Sequence, residues 1–338
     1  MERKISMQDI ANRLNISKNS VSQALSGKPG VSEETRQAVQ KMADQLGYQY
    51  TGTRKQKDQE KTSPMNIALI ASDYAFSLIS FFGEIYLSVE NEVRSRGMNL
   101  FIESINSHSK EHLVLPALLT NHQIDGILIL SHISTEYMKK IIDTGIPTVL
   151  IDHHEPSLRA DSILTNNRFG AFTAVEHLIQ LGHKEIAFVG DVNFSPSYQE
   201  RLDGYLLALN KYGLKANQQF MFTSAQENSD ELNSYFENLE TKPSAWFCVN
   251  DGHGFLMTSL LQQQGYNVPG DVSVCSFDNG QLSQIATPKI TTMDIDLTYY
   301  GKKAVEQLWW RIHHRNEPIQ EILLPTKLII RDSTSVHG

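Results

Sequence analysis

Ser6-Met-Gln-Asp9-Ile10-Ala-Asn-Arg-Leu14-Asn-Ile-Ser17-Lys-Asn-Ser20-Val-Ser-Gln-Ala-Leu25 encodes two short helices separated by a tight turn. Ser6 stands where a helix beginning at Met7 needs a cap, and Asp9, three residues on, supplies the other half of a capping box. Ile10, Ala11 and Leu14 fall on one face at helical spacing. Asn15-Ile16 interrupts the pattern, and Ser17 caps a second helix that carries Val21 and Leu25 four residues apart. Lys18, Asn19, Ser22 and Gln23 are left on the outer face near its start. Lysine suits phosphates, and Asn or Gln amides match the donor and acceptor edges of bases in a major groove. The block therefore reads as a helix-turn-helix. An ordinary amphipathic hairpin has the same apolar spacing and stays open on these twenty residues alone.

Flanking sequence favours the first reading. Ser32-Glu-Glu-Thr opens a third helix with a capping serine and acids in its first turn, where the helix dipole favours them. Val39, Met42, Ala43 and Leu46 form its apolar stripe, and Gly47 supplies a stop. Residues 1–61 hold 11 Lys+Arg against 7 Asp+Glu, a net of +4, whereas the whole chain is at −8. A basic module on an acidic body is the asymmetry expected when one end meets phosphates.

The N-terminal block resembles the lactose-repressor/galactose-repressor (LacI/GalR) family of bacterial transcription regulators. Asp9-Ile-Ala, Ile16-Ser17, Ser20-Val21-Ser22, Leu25, Val31-Ser32, Thr35-Arg36 and Leu46-Gly47-Tyr48 carry the likeness. It continues through His177-Leu-Ile-Gln-Leu-Gly-His183, Arg201-Leu-Asp-Gly-Tyr205, Asn250-Asp251, Val268-Pro-Gly-Asp-Val-Ser-Val274, Phe277-Asp278, Ile290-Thr-Thr292 and Leu324-Pro-Thr-Lys. Placement on and around the exposed face of the capped second helix makes Ser6, Ser17, Lys18, Asn19, Ser20, Ser22 and Gln23 the expected DNA contacts. The resemblance implies a cleft in which Arg201, Asn250 and Asp278 contact a ligand beside Ser197, with Phe81 and Phe82 on the facing lobe.

Residues 51–65 are almost wholly polar and read as a hinge or linker between a 1–50 head and a 66–338 core. Beyond them, apolar runs near Asn66–Ala71, Asn99–Ser104, Gly126–Leu130, Thr148–Asp152, Glu185–Val189, Ala245–Asn250 and Val272–Phe277 alternate with helical segments. One helix is expected near Phe81–Gly97 and another near Lys110–His122. Strand–helix alternation means parallel sheets with ligand sites at strand carboxyl ends. Two such series fit an α/β core of two doubly wound, periplasmic-binding-protein-like lobes. By resemblance the chain crosses between them three times, giving an N-lobe of about 66–165 plus 297–324 and a C-lobe of about 166–294 plus 325–338.

Metal and enzyme patterns carry less weight. His108-Ser-Lys-Glu111-His112 matches an H-x-x-E-H pattern but sits at a strand-to-helix junction, where a solvated helix start explains it. In Asp152-His153-His154 neighbouring side chains on an extended segment point oppositely and chelate poorly together. A cleft-facing Asp152 that hydrogen-bonds a ligand is the expectation. Cys248 and Cys275 lie in apolar runs and read as buried strand thiols. No glycine-rich phosphate loop, G-x-S-x-G elbow or acid–base pair is present, so neither catalysis, a metal nor a cofactor is expected.

Two departures from the family pattern stand out. A glutamine common after its Thr-Thr-x-x stretch is absent, Thr291-Thr-Met-Asp294 leading instead to Ile295-Asp296. By register from Tyr48, Lys57 occupies the place of the family's minor-groove leucine wedge, so Arg54, Lys55 and Lys57 are expected to act on phosphates.

The whole reads as a cytoplasmic, homodimeric repressor of a pseudo-palindromic operator, released by a neutral mono- or disaccharide. No membrane span, signal segment or tetramer-forming heptad tail is read in the sequence. A corepressor-type sensor of a nucleobase, and a sugar-binding or sugar-processing protein, remain alternatives.

Overall fold

A computed structural model describes residues 5–26, 30–46, 48, 64–73, 75, 79–130 and 133–338. Two compact units result, residues 1–63 and 64–338. The proposed hinge contacts Arg54, Lys55 and Lys57, and the stop at Gly47, lie outside the described residues.

In the first unit α1 (Met7–Leu14), α2 (Lys18–Ser26) and α3 (Glu33–Gln45) close on Ile10, Ala11, Val21, Ala24, Val39 and Ala43. Each start is fixed locally. Ser6 donates its N–H (2.8 Å) and hydroxyl (2.6 Å) to Asp9. Ser17 Oγ accepts from the Ser20 N–H at 3.0 Å, and Ser32 Oγ from that of Thr35 at 3.2 Å. Asn15, at φ 53°, takes the left-handed conformation that ends α1 and turns the chain. Arg36 then donates to Ala24 O at 3.2 Å, tying α3 to α2.

The second unit holds two six-stranded sheets among the described residues. Strands β1 (Asn66–Ser72), β2 (Asn99–Ile105), β3 (Gly126–Leu130), β4 (Thr148–Ile151), β5 (Asp161–Thr165) and β11 (Glu321–Leu324) form the first, in the order β11-β5-β4-β3-β1-β2. Every pairing in it is parallel. The second contains β6 (Ile186–Val189), β7 (Met221–Phe222), β8 (Ala245–Cys248), β9 (Ser273–Asp278), β10 (Thr291–Ile295) and β12 (Thr326–Ile329), ordered β12-β10-β9-β8-β6-β7. Only β12 runs antiparallel there. The chain leaves the first sheet after β5, returns after β10 through helix Leu297–His313, and crosses again between β11 and β12. Helices cover both faces, so β3, β4, β5, β6 and β8 are buried along their whole length.

Two local expectations are corrected. Lys110–His122 is not one helix but two short ones, Ser107–Glu111 and Ala117–Asn121, because Leu113 turns at φ 51° and Pro116 cannot continue a helix. The segment expected as a helix from Phe81 opens as a π-helical turn, Ile79–Gly83, before Glu84–Ser95. Strands β5, β7, β11 and β12 and the pairing role of β10 extend the strand series read from the sequence. Among the described residues no helix is long and apolar enough to cross a membrane.

Candidate functional site

On the head, Ser6, Ser17, Lys18 and Asn19 are exposed, whereas Ser20, Ser22 and Gln23 are half-buried. Ser17 and Ser20 share a hydroxyl contact of 2.8 Å at the start of α2, so both are engaged in the cap. Lys18 and Asn19 project from the first turn of that helix, the end of a recognition helix that meets bases. Gln23 lies about a turn on, its amide oxygen 3.0 Å from where a Cβ on Gly30 would sit, and Gly30 holds a φ of 125° that strains any other residue.

In the second unit the carboxyl ends of the two sheets face a cavity of about 970 Å³. Phe81, Phe82, Asp152, Ser197, Arg201, Asn250 and Asp278 all line it. Phe81 and Phe82 stand edge to face at 5.0 Å in the π-helical turn, on the first-sheet side. Asp152 follows β4, while Ser197 and Arg201 sit on helix Pro196–Lys211 of the other lobe.

Arg201 is the hub, 2% exposed. Its Nε donates to Asn167 Oδ1 at 2.9 Å and its Nη1 to Val249 O at 2.7 Å. The guanidinium lies 3.8 Å from the Phe277 ring centroid, a cation–π contact. Its Nη2 lies 2.9 Å from Asp278 Oδ1 as an ion pair. Burial pushes the Asp278 pKa above the usual carboxylate range despite the lowering by Arg201.

Asp152 accepts from Ser197 Oγ at 3.2 Å, a bond that spans the lobes. Burial lifts its pKa to about 7, Arg201 opposing and Asp278 reinforcing the shift. Asn250 is first a helix cap. Its Oδ1 accepts from the His253 N–H at 2.9 Å, and its Nδ2 donates to Tyr198 Oη (2.8 Å) and Glu227 Oε1 (2.7 Å). Asp152 (φ 55°), Asp278 (φ 104°) and Asn279 (φ 53°) all hold left-handed backbone at strand ends, a strain that surrounding structure must impose.

The cavity recruits residues that the sequence reading did not single out. Asp251 accepts from Thr292 Oγ1 at 2.8 Å and from Ser276 Oγ and the Gly280 N–H, and burial lifts its pKa to about 7. Asp294 accepts from Asn279 Nδ2 at 2.7 Å, so a carboxylate faces the cleft beyond the Thr-Thr stretch. Glu227 lies across Gly252 in the first turn of helix Asp251–Gln263, where any Cβ would overlap its carboxylate. Phe194 and Tyr198 add stacked rings 5.3 Å apart. Asp251 and Asp294 adjoin strand ends and were open to the same rule that picked Asn250 and Asp278. Glu227 comes from a loop with no periodic signal.

The remaining candidates resolve elsewhere. His108 and His112 stack on each other at 4.3 Å. His154 sits between Glu200 (3.2 Å) and Glu321 (3.5 Å), and the Glu200 contact raises its pKa. Cys248 and Cys275 are fully buried on β8 and β9, where desolvation pushes both thiols up. Among the described residues no group of three or more His, Cys, Asp or Glu is placed to hold a metal ion.

Comparison with known proteins agrees with both halves of this picture. Residues 6–50 match the family described as bacterial regulatory proteins, lacI family, and residues 175–334 match a periplasmic binding protein-like domain. The chain is 30% identical over 333 residues to the NTD biosynthesis operon regulator NtdR of Bacillus subtilis strain 168, covering 97% of this chain and 99% of that one. It is 27% identical over 332 residues to the HTH-type transcriptional repressor PurR of Vibrio campbellii, covering 97% and 98%. Among solved structures, the transcriptional regulator CelR in complex with cellobiose shares the fold, with a TM-score of 0.70 at 23% identity over 97% of this chain and 99% of that one.

Proposed function

This chain belongs to the LacI family of bacterial regulatory proteins and is a DNA-binding transcriptional regulator, and from that premise we propose a homodimeric repressor released from its operator by a small carbohydrate. One observation carries the proposal: a cavity lined by Arg201, Asn250, Asp278 and Ser197 on one side and by Asp152, Phe81 and Phe82 on the other. Carboxylates and a guanidinium suit adjacent hydroxyls, and aromatic faces suit the apolar face of a sugar ring. The ligand is bound without being turned over, and the protein works on DNA in the cytoplasm.

Control follows from differential affinity. A ligand shifts the lobes only by as much as it prefers one arrangement over the other. The Asp152–Ser197 and His154–Glu200 contacts both join the segment after β4 to helix Pro196–Lys211, and are the bonds such a shift would remake. Mono- and disaccharides that bind in calorimetry are therefore expected to weaken operator binding in a gel shift. Binding that leaves the DNA complex unchanged, or tightens it, contradicts release by sugar and favours a corepressor.

On the DNA side, Lys18, Asn19 and Gln23 are proposed to read the major groove, with Ser6, Ser17 and Ser22 on phosphates. Selection from random DNA is expected to return two half-sites related by a twofold axis. Gln23→Ala is expected to lower discrimination at one base pair per half-site by about 1–3 kcal/mol. A selected pool without twofold symmetry rules this assignment out.

For the hinge, Lys57 in place of an apolar wedge points to little central kinking and to phosphate contacts from Arg54, Lys55 and Lys57. Replacing the three by alanine is expected to flatten the salt dependence of operator affinity by up to about three phosphate equivalents. A strong bend in a circular-permutation gel would contradict the absence of a wedge.

A further inference from the structure

We propose that the cleft takes an aminated carbohydrate, one carrying an ammonium group among its hydroxyls; this rests on the carbohydrate reading above and narrows it. Among the described residues, six carboxylates line the cavity, on Glu84, Asp152, Glu227, Asp251, Asp278 and Asp294, against one guanidinium, that of Arg201. The Arg201 guanidinium is already set against Asp278 and the Phe277 ring. Neutral donors satisfy several of the acids without cancelling their charge: Ser197 on Asp152, Asn250 on Glu227, Thr292 on Asp251 and Asn279 on Asp294. A ligand of hydroxyls alone would cover Glu84, Glu227, Asp278 and Asp294, the four that are not already buried, and bring no compensating charge, which is costly. An ammonium group supplies both charge and three donors, and hydrogen bonds from it to carboxylates are of the strong, charge-assisted kind. Glu227, half-exposed on the cavity wall, is one place for it. The rings of Phe81, Phe82, Phe194 and Tyr198 line the same cavity and favour a cation over their faces.

A pH signature follows. Asp152, which faces Arg201, Asp278, Glu200 and Tyr300, is lifted to about 7 by burial. Asp251, which faces Asp278 and the thiols of Cys248 and Cys275, is lifted to about 7 as well. Both are part-protonated near neutrality, and a bound ammonium favours their ionised forms. Binding therefore releases protons, and affinity rises as pH climbs through 7 until the ligand's own ammonium titrates.

The test is calorimetry on the full-length protein with matched sets: glucose, galactose, mannose and cellobiose, their amino-deoxy counterparts, and the N-acetylated forms of those amines. The tightest ligand is expected to be an amine, binding at least about tenfold more tightly than its hydroxyl parent and losing that gain on acetylation. Its heat is expected to differ between phosphate and Tris buffers, reporting proton release. Glu227→Gln, at a half-exposed position where folding is least at risk, is expected to shrink the amine-to-parent ratio several-fold. A neutral sugar that binds as tightly as its amine overturns this inference and leaves the carbohydrate reading standing. A panel in which neither kind binds removes both.

Discussion

Arg201→Ala is expected to lower the unfolding free energy of the core by about 3–5 kcal/mol and to abolish the effector response, because it strands a buried carboxylate. The side chain is 2% exposed and serves Asn167, Val249 O and Asp278 at once, with its cationic face on Phe277. Asp278 is already pushed above the usual carboxylate range with Arg201 present, and losing the cation raises it further. The sign of the pH dependence follows. An acid whose folded pKa is raised costs stability as pH climbs from the ordinary carboxylate range through the folded value. The variant's deficit, measured by urea unfolding, should thus be smaller at pH 5 than at pH 7. Adding Asp278→Asn to Arg201→Ala should recover part of the loss, and the two substitutions should be markedly non-additive. Asp278→Ala alone, which removes a carboxylate rather than its counter-charge, should end the sugar response while leaving operator affinity intact. An Arg201→Ala protein that melts like the parent and still answers its ligand would end this account of the cleft.

Legibility in the sequence followed the range of the interactions involved. The head was readable almost residue by residue, since its caps at Ser6, Ser17 and Ser32 act within three residues of themselves. Continuous apolar runs such as Ile67–Ala71 announced their strands. Strand β5 did not, because Asp161 and Ser162 open it with polar side chains that only tertiary partners bury. The expected helix at 110–122 failed on a local signal that was present, Pro116, combined with one that was not, the left-handed turn at Leu113.

Within the cleft, residues at strand carboxyl ends were legible by rule, and those carried in by loops were not. Glu227 reaches the site because Gly252 leaves a space that its carboxylate fills, a fit between residues 25 apart in sequence with no shared periodicity. That blind spot has a chemical consequence. Arg201, Asn250, Asp278 and Asp152 taken alone suggest a balanced site for a neutral polyol. With Glu84, Glu227, Asp251 and Asp294 added, the same cavity is strongly acidic.

Asp161→Ala is expected to destabilise the core about as much as Arg201→Ala, by about 3–5 kcal/mol, yet to leave ligand preference untouched. Asp161 is fully buried at the start of β5 and receives Arg311 Nε (2.9 Å) and Nη2 (2.7 Å), Gln307 Nε2 (2.8 Å) and the Gln320 N–H (2.9 Å). Arg311 spends its remaining donors on the carbonyls of His314, Glu317 and Pro318. This network fastens helix Leu297–His313, the return crossing, to the strand it must lie beside. It also sits at the amino end of the sheet, opposite the carboxyl ends that face the cavity. Removing the aspartate leaves a buried guanidinium with no counter-charge, whereas replacing both partners by apolar residues, Asp161→Leu with Arg311→Met, should restore much of the loss. Urea unfolding of the single and double variants gives the stability comparison, and calorimetry with the best-bound sugar gives the preference. Equal stability of the single variant and the parent would refute the role assigned to the pair, and an altered sugar ranking would mean that the far end of the lobe shapes the cleft.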